Sequence, residues 1–181
     1  MKKTAFSFIA LLLAVFLTGC NNSSNQASYE YELTGDIVVL KFSDAENLRL
    51  FLRTEDNTDA YLRERGGLIP LLKTESEAIY LEKYLYEAGD VAAYFNINGI
   101  QYRITTFADM TEGMIPSWND PIAATVTVDG IDVNLYLHPS GTWFSGWFLV
   151  NNTYAHIIIS TTDLDAVNTE YFYFEKATFA E

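Results

Sequence analysis

The sequence predicts an α+β domain, in which an antiparallel sheet of consecutive hairpins has one or two helices covering one face. Three dipeptides carry this prediction: Asn98-Gly99, Asp129-Gly130 and Asn151-Asn152. Asn and Asp followed by Gly tolerate the positive φ angles of two-residue hairpin turns, and Asn-Asn is a weaker form of the same signal. Alternating apolar and polar residues flank each dipeptide, which is typical of strands with one buried face.

Two-residue turns also predict which residues face each other across each hairpin. The Asn98-Gly99 turn places Phe95 opposite Tyr102 on an apolar face and Tyr94 opposite Arg103 on a mixed face. The corresponding pairs around the other two turns are Val126–Val133 and Thr127–Asp132, then Phe148–Ala155 and Trp147–His156. The separation of the two faces predicts a sheet that is covered on one side and open, or partly open, on the other.

The remaining elements follow from local patterns. The β-branched run Ile37–Phe42 and the apolar run Leu68–Leu72 are predicted strands, the latter at a buried edge. Ser43 followed by Glu46 has the spacing of a capping box and predicts a helix over 44–54. Residues 76–86 fit a strand or a helix, and we favour the strand.

The C-terminal segment also fits two structures. Leu164, Val167, Tyr171 and Phe174 recur at helical spacing, with Thr162 as a candidate cap, and these residues favour a helix over 163–175. The alternative is a last strand over 171–174, because Tyr-Phe-Tyr-Phe has high β propensity. Together these patterns predict an antiparallel sheet of about six to eight strands with one or two helices on one side.

The N-terminus has the pattern of an export signal. Lys2 and Lys3 precede an apolar run that ends at Leu17, which is too short to cross about 30 Å of hydrocarbon as a helix. The run leads into Leu17-Thr18-Gly19-Cys20, which resembles the lipobox of bacterial lipoproteins. That resemblance implies cleavage after Gly19 and lipidation of Cys20, the only cysteine of the chain.

These features divide the chain into three parts. Residues 1–19 are a lipoprotein signal peptide, 20–28 are the lipidated cysteine and a flexible polar tether, and 29–181 are a single α+β domain. The anchor implies a location at the cell membrane or the outer membrane, facing away from the cytoplasm. The arrangement is also similar to small uncharacterised lipoproteins of Firmicutes and to sheet-plus-helix domains attached to some anti-sigma factors, but no diagnostic motif carries a function or a site across.

Composition and motifs exclude several classes of function. Eleven Lys and Arg against 24 Asp and Glu give a net charge of −13, which disfavours nucleic acid and anionic lipid headgroups as partners. The two histidines, His138 and His156, lack the motif of a catalytic triad, and no metal-ligand spacing or glycine-rich phosphate loop occurs. We therefore expect no enzyme activity, no cofactor and no metal.

Aromatic residues on the mixed face predict the binding site. The candidate ligand-binding face consists of Trp143, Trp147, Tyr154, His156, Tyr136 and Arg103. Tyr and Trp with a few polar groups favour ligand binding when they are exposed. The alternative is that a helix or a loop covers these rings as part of the core.

Three functions remain after these exclusions. The favoured one is a membrane-anchored, non-catalytic binding or interaction module for a protein, peptide or glycan ligand. The first alternative is an acidic inhibitor or scaffold that binds a cationic envelope partner. The second is a carboxylate-based hydrolase, which requires two acids facing each other in a cleft.

Overall fold

The computed structural model describes residues 26–34, 37–54, 64–116 and 120–177. The predicted signal peptide, Cys20 and the predicted tether as far as residue 25 lie outside the described residues. In chain order the elements are β1 (Glu30–Thr34), β2 (Ile37–Phe42), α1 (Ala45–Thr54), β3 (Leu68–Leu72), β4 (Ile79–Glu87), β5 (Asp90–Ile97), β6 (Ile100–Phe107), a 3₁₀ turn (Glu112–Met114), β7 (Ala124–Val128), β8 (Ile131–Leu137), β9 (Phe144–Val150), β10 (Thr153–Ser160) and β11 (Phe172–Lys176).

Nine of these strands form one antiparallel sheet in the order β1-β2-β4-β5-β6-β10-β9-β8-β7. The predicted hairpin registers are confirmed: Phe95 pairs with Tyr102, Val126 with Val133, and Trp147 with His156. Positive φ angles at the three turn dipeptides explain why these turns can be recognised from sequence. The strand predictions for Ile37–Phe42, Leu68–Leu72 and most of 76–86 are confirmed as well.

The predicted α+β class is wrong. Strands make up 53% and helices 11% of the described residues, so the described part of the domain is β-rich, and α1 is the α-helix that lies wholly within it. The main sheet of the described residues has nine strands, more than the six to eight predicted for it, and two further strands form a separate ribbon. The helices that we expected over one face of the sheet are replaced there mainly by other strands.

The helix predicted over 163–175 is the largest local error. Residues 161–171 form loops and turns, and Phe172–Lys176 forms β11, which pairs with β3 as a separate two-stranded ribbon. In this ribbon Phe172 and Phe174 are buried, whereas Tyr173 between them is only half-buried. The alternation of a strand therefore outweighs the helical spacing of the same aromatics.

The β3–β11 ribbon lies on the inner face of the sheet, which is the face that carries the core. The Tyr84 hydroxyl of β4 donates to the Pro70 carbonyl of β3 at 2.9 Å, and the Thr106 hydroxyl of β6 donates to the Leu68 carbonyl at 2.7 Å. The Phe172 ring lies 5.2 Å from Phe95 and 5.4 Å from Tyr102 (ring centroids). All four contacts are buried, so the ribbon and the sheet share one core.

Helix α1 covers a second part of the inner face. Leu48 and Leu52, four residues apart, are fully buried. The N-terminal cap is Asp44 and not Ser43 as predicted: its Oδ1 accepts a hydrogen bond from the Asn47 backbone N–H at 2.8 Å. Arg49 forms a bidentate pair with Glu175 at 2.7 and 2.9 Å, which connects the helix to β11.

The β7–β8 hairpin covers another part of the inner face of the sheet, because β8 crosses the inner face of β9. Gly146 pairs with the buried Ile157, so a Cβ at Gly146 would point to the inner face. Such a Cβ would lie 2.5 Å from the Asn134 carbonyl oxygen and 2.7 Å from Val133 Cγ1. At the far end of the hairpin, Asp129 accepts a hydrogen bond from the Phe174 backbone N–H. Only glycine at position 146, which has no side chain, permits β8 to cross β9 here.

We therefore predict that Gly146→Ala lowers the free energy of unfolding by about 1–3 kcal/mol, as overpacked cores do. The cost arises because the added methyl group meets backbone, which cannot rotate away. Urea denaturation measures the change. Gly113→Ala is the matched control, because a Cβ there meets nothing within 4 Å. Equal stability of the two variants would contradict the crossing.

Candidate functional site

The outer face of the sheet contains the candidate site. Residues paired across neighbouring strands share a face, so the pairs Leu85–Ala92 and Ala92–Thr105 place three side chains side by side on β4, β5 and β6. Thr105 pairs in turn with His156 of β10, which pairs with Trp147 of β9. This face therefore continues from the centre of the sheet to the predicted aromatic residues.

A groove of about 380 Å³ runs along this face, within the 300–1,000 Å³ typical of ligand pockets. Its floor is shallow because Ala92, at its centre, has the shortest side chain that a non-glycine residue can have. Long side chains stand around that position and form the walls. We define the outer-face groove by its lining residues: Glu32, Val39, Leu85, Glu87, Asp90, Ala92, Tyr94, Arg103, Thr105 and Phe107.

One wall of the groove carries basic groups. The Arg103 guanidinium lies 5.6 Å from the centroid of the Tyr94 ring, and its Nε donates to the Thr105 hydroxyl at 3.2 Å. Lys83 Nζ lies 5.0 Å from the same centroid and pairs with Glu32 at 3.1 Å. In the described part of the chain Arg103 has no carboxylate within salt-bridge distance. Its charge therefore remains available to a ligand.

The opposite end of the groove carries an acidic pair. Glu87 and Asp90 face each other across the tight turn that joins β4 to β5. Asp90 Oδ1 accepts a hydrogen bond from the Ala108 backbone N–H at 2.7 Å. Burial raises the pKa of Asp90 to about 6; the Ala108 hydrogen bond opposes this shift, and the charges of Asp109 and Glu87 add to it. Two facing acids are also what a hydrolase requires.

The aromatic part of the outer face is a stack. The Trp147 indole lies 4.3 Å from the His156 ring at an interplanar angle of 12° and 5.3 Å from the Phe107 ring at 30°. Burial, followed by the charge of Arg103, lowers the pKa of His156 to about 4, so this histidine is neutral at pH 7. Trp147 Nε1, His156 Nε2 and Ser145 Oγ are buried without a hydrogen-bond partner among the described residues.

The structure brings most of the predicted site residues to one face but not into one cluster. Arg103 lines the groove, while Trp147, His156 and Tyr154 lie beside it on β9 and β10. Tyr136 of β8 lies on the same face, opposite Ser145 of β9.

Trp143 is separate from the other predicted site residues. It lies just before β9, where its indole stacks on His138 with ring centroids 3.9 Å apart. Trp143, Trp147 and Tyr154 are each half-buried, so none of them belongs to the fully buried core. The predicted aromatic face is therefore partly accessible, but part of the Trp147 ring is occupied by its neighbours.

Sequence reasoning missed the acidic pair and the floor of the groove. Both are formed by the hairpin whose turn is Ala88-Gly89, and that turn was not recognised in the sequence. The two turn residues have positive φ angles of 48° and 97°. Alanine rarely adopts such angles, so this dipeptide does not stand out as a hairpin turn in the way that Asn-Gly does. Had the turn been recognised, the same register argument would have paired Glu87 with Asp90.

Fold and site together define a β-rich domain with a core on one face of its sheet and a charged groove on the other. Comparison of the chain with known proteins finds no matching family model, no matching curated protein and no matching solved structure. Among the described residues, no three His, Cys, Asp or Glu side chains are grouped so that they could hold a metal ion.

The pKa of Asp90 predicts a specific pH dependence. The folded-state pKa of about 6 exceeds the ordinary value of 3.8, so Asp90 binds more protons in the folded than in the unfolded protein between these values, and its contribution to stability falls as pH rises through this window. Asp90→Asn keeps an oxygen for Ala108 but cannot ionise. We expect the variant to gain about 1 kcal/mol relative to wild type between pH 4 and pH 7, a value discounted for solvent screening.

Urea denaturation of both proteins across this pH range measures the difference. Because the remaining acids are common to both proteins, their titration cancels in the comparison. A difference that stays constant from pH 4 to pH 7, or that shrinks as pH rises, would contradict the burial of an ionising Asp90.

Proposed function

We propose that this chain is a lipid-anchored extracytoplasmic binding module and that the outer-face groove is its ligand site. The observation that carries the proposal is a groove of ligand size whose arginine and acidic pair have no ion-pair partners among the described residues. Fold stability gains little from such charges, because exposed charges without partners contribute almost nothing to it. These charges would instead form ion pairs with a ligand that carries complementary charges.

The proposed anchor is Cys20 within the lipobox-like Leu17-Thr18-Gly19-Cys20. The ten residues from Cys20 to the start of β1 could span at most about 33–36 Å when extended. This reach would hold the domain close to the membrane while leaving it free to turn. Within the described residues, no helix is both long and apolar enough to span a bilayer.

An acidic inhibitor or scaffold for a cationic partner is the second candidate. Three carboxylates, those of Glu32, Glu87 and Asp90, line one groove, where a basic side chain could bind. Arg103 in the same groove would repel such a partner, and Glu32 already pairs with Lys83. We therefore favour a ligand that uses both signs of charge.

The anchor is tested by metabolic labelling with palmitate in a bacterial host that processes lipoproteins. We predict that the full chain incorporates label and that Cys20→Ala loses it and accumulates as the uncleaved precursor, because the thiol is the acceptor of the lipid. Ser23→Ala, in the predicted tether, is the matched control and should be labelled like wild type. Equal labelling of Cys20→Ala and wild type would refute the anchor.

The groove is tested by filling it. We predict that Ala92→Trp abolishes ligand binding, because an indole on the floor would occupy the space between the walls. The assay records amide chemical shifts of residues 21–181, which contain every described element and the whole described core, during titration with panels of short peptides and oligosaccharides. Shifts should concentrate on Ala92, Tyr94 and Arg103 in wild type.

Thr125→Trp is the matched control, since Thr125 is an exposed residue of β7 that does not line the groove. It should bind like wild type. The proposal fails if neither panel shifts the groove residues, or if Ala92→Trp binds as wild type does. Conversion of an added peptide or oligosaccharide during the titration would instead support the hydrolase.

A further inference from the structure

The outer-face groove has opposite charges at its two ends, and this polarity defines its ligand further. Arg103 stands on β6, opposite Tyr94 of β5, whereas Asp90 begins β5 and faces Glu87. Neither Arg103 nor Glu87 has an ion-pair partner in the described part of the chain, and Asp90 is bonded there only to a backbone amide. The two ends therefore present one positive and one negative binding position.

We infer that the groove binds short peptides through their free termini, with the terminal carboxylate on Arg103 and the terminal ammonium on Glu87 and Asp90. This inference rests on the proposed function, because it names the ligand class of the same groove. Arg103 is suited to its role because a guanidinium can bind a carboxylate through two parallel hydrogen bonds. Two carboxylates suit an ammonium group, which has three donors and no acceptor.

The separation of the two ends determines the length of the peptide. Tyr94, the cross-strand partner of Arg103, lies four residues from Asp90, which corresponds to about 13 Å along a strand. The arginine side chain shortens the gap between the charged groups, because its Nε bonds to Thr105, whose partner Ala92 lies two residues from Asp90. Since an extended peptide spans at most about 3.3–3.6 Å per residue, a peptide of two or three residues, about 7–10 Å long, matches the groove. A single α-amino acid is too short to reach both ends.

The middle of the groove determines which side chains fit. Val39, Leu85 and Ala92 give the floor an apolar surface, and the Tyr94 and Phe107 rings line the walls. Val39 and Ala92 are 5% and 8% exposed, so their short side chains form a closely packed floor. Small apolar residues such as alanine therefore suit it.

Other ligand chemistries use the groove less completely. A polyamine would meet the repulsion of Arg103, and an inorganic anion would meet that of Glu87 and Asp90. A neutral oligosaccharide would leave both charged ends without a partner. Only a ligand with both charges satisfies both ends.

The test compares trialanine with its two blocked forms, N-acetyl-trialanine and trialanine amide, by calorimetry on residues 21–181. We expect each blocked form to bind at least about tenfold more weakly than the free peptide, because each loses one charged hydrogen-bonded contact. In Arg103→Gln the free and amidated peptides should bind equally. In the double variant Glu87→Gln/Asp90→Asn the free and acetylated peptides should bind equally.

Arg53→Gln, at the exposed end of α1, and Glu112→Gln, in the 3₁₀ turn, are the matched charge controls and should bind the three peptides as wild type does. Equal affinities of wild type for the three peptides, or no binding of any of them, would overturn the inference. If oligosaccharides or other panel members still shift the groove residues in that case, the binding module stands and only its ligand class is wrong. If nothing shifts them, both proposals fail.

Discussion

The β3–β11 ribbon is the interaction on which the rest of this structure depends. A nine-stranded sheet with apolar residues on one face needs a cover, and the single described α-helix is ten residues long, too short to provide it. The ribbon fills the centre of that face, where Tyr84 and Thr106 bond to its backbone and Phe172 packs between Phe95 and Tyr102. Buried carbonyls of the ribbon thus obtain partners from the sheet.

Coverage of the inner face leaves the outer face free for function. The core is complete on one side, so outer-face positions such as Ala92 and Arg103 do not have to fill a second core. A short residue can then remain among long ones, and the result is a groove. The same division explains the stack of Phe107, Trp147 and His156, where rings on a partly exposed face of mixed polarity bury each other.

The hairpins were predictable from the sequence because their signals are local. Asn98-Gly99 fixes a register that extends without change to Val91 and Thr106, and one correct turn therefore orders a whole pair of strands. The ribbon was not predictable in this way, because β3 and β11 lie about one hundred residues apart and no turn joins them. Tyr-Phe-Tyr-Phe fits a helix or a strand by its own spacing, and only its distant partner decides between them.

The candidate site was predictable only to the extent that it lies on hairpins with recognisable turns. Arg103 was placed correctly opposite Tyr94, but the acidic end was missed with the Ala88-Gly89 turn. The negative net charge of the chain also gives no indication of this site, because a surplus of acids suggests a cationic partner for the whole surface. Most of the bases near that surface are neutralised within the fold, as Lys41 is by Glu30 and Lys83 by Glu32. Arg103 is held by Thr105 instead, with its charge directed to the groove, and the local arrangement therefore matters more for recognition than the net charge does.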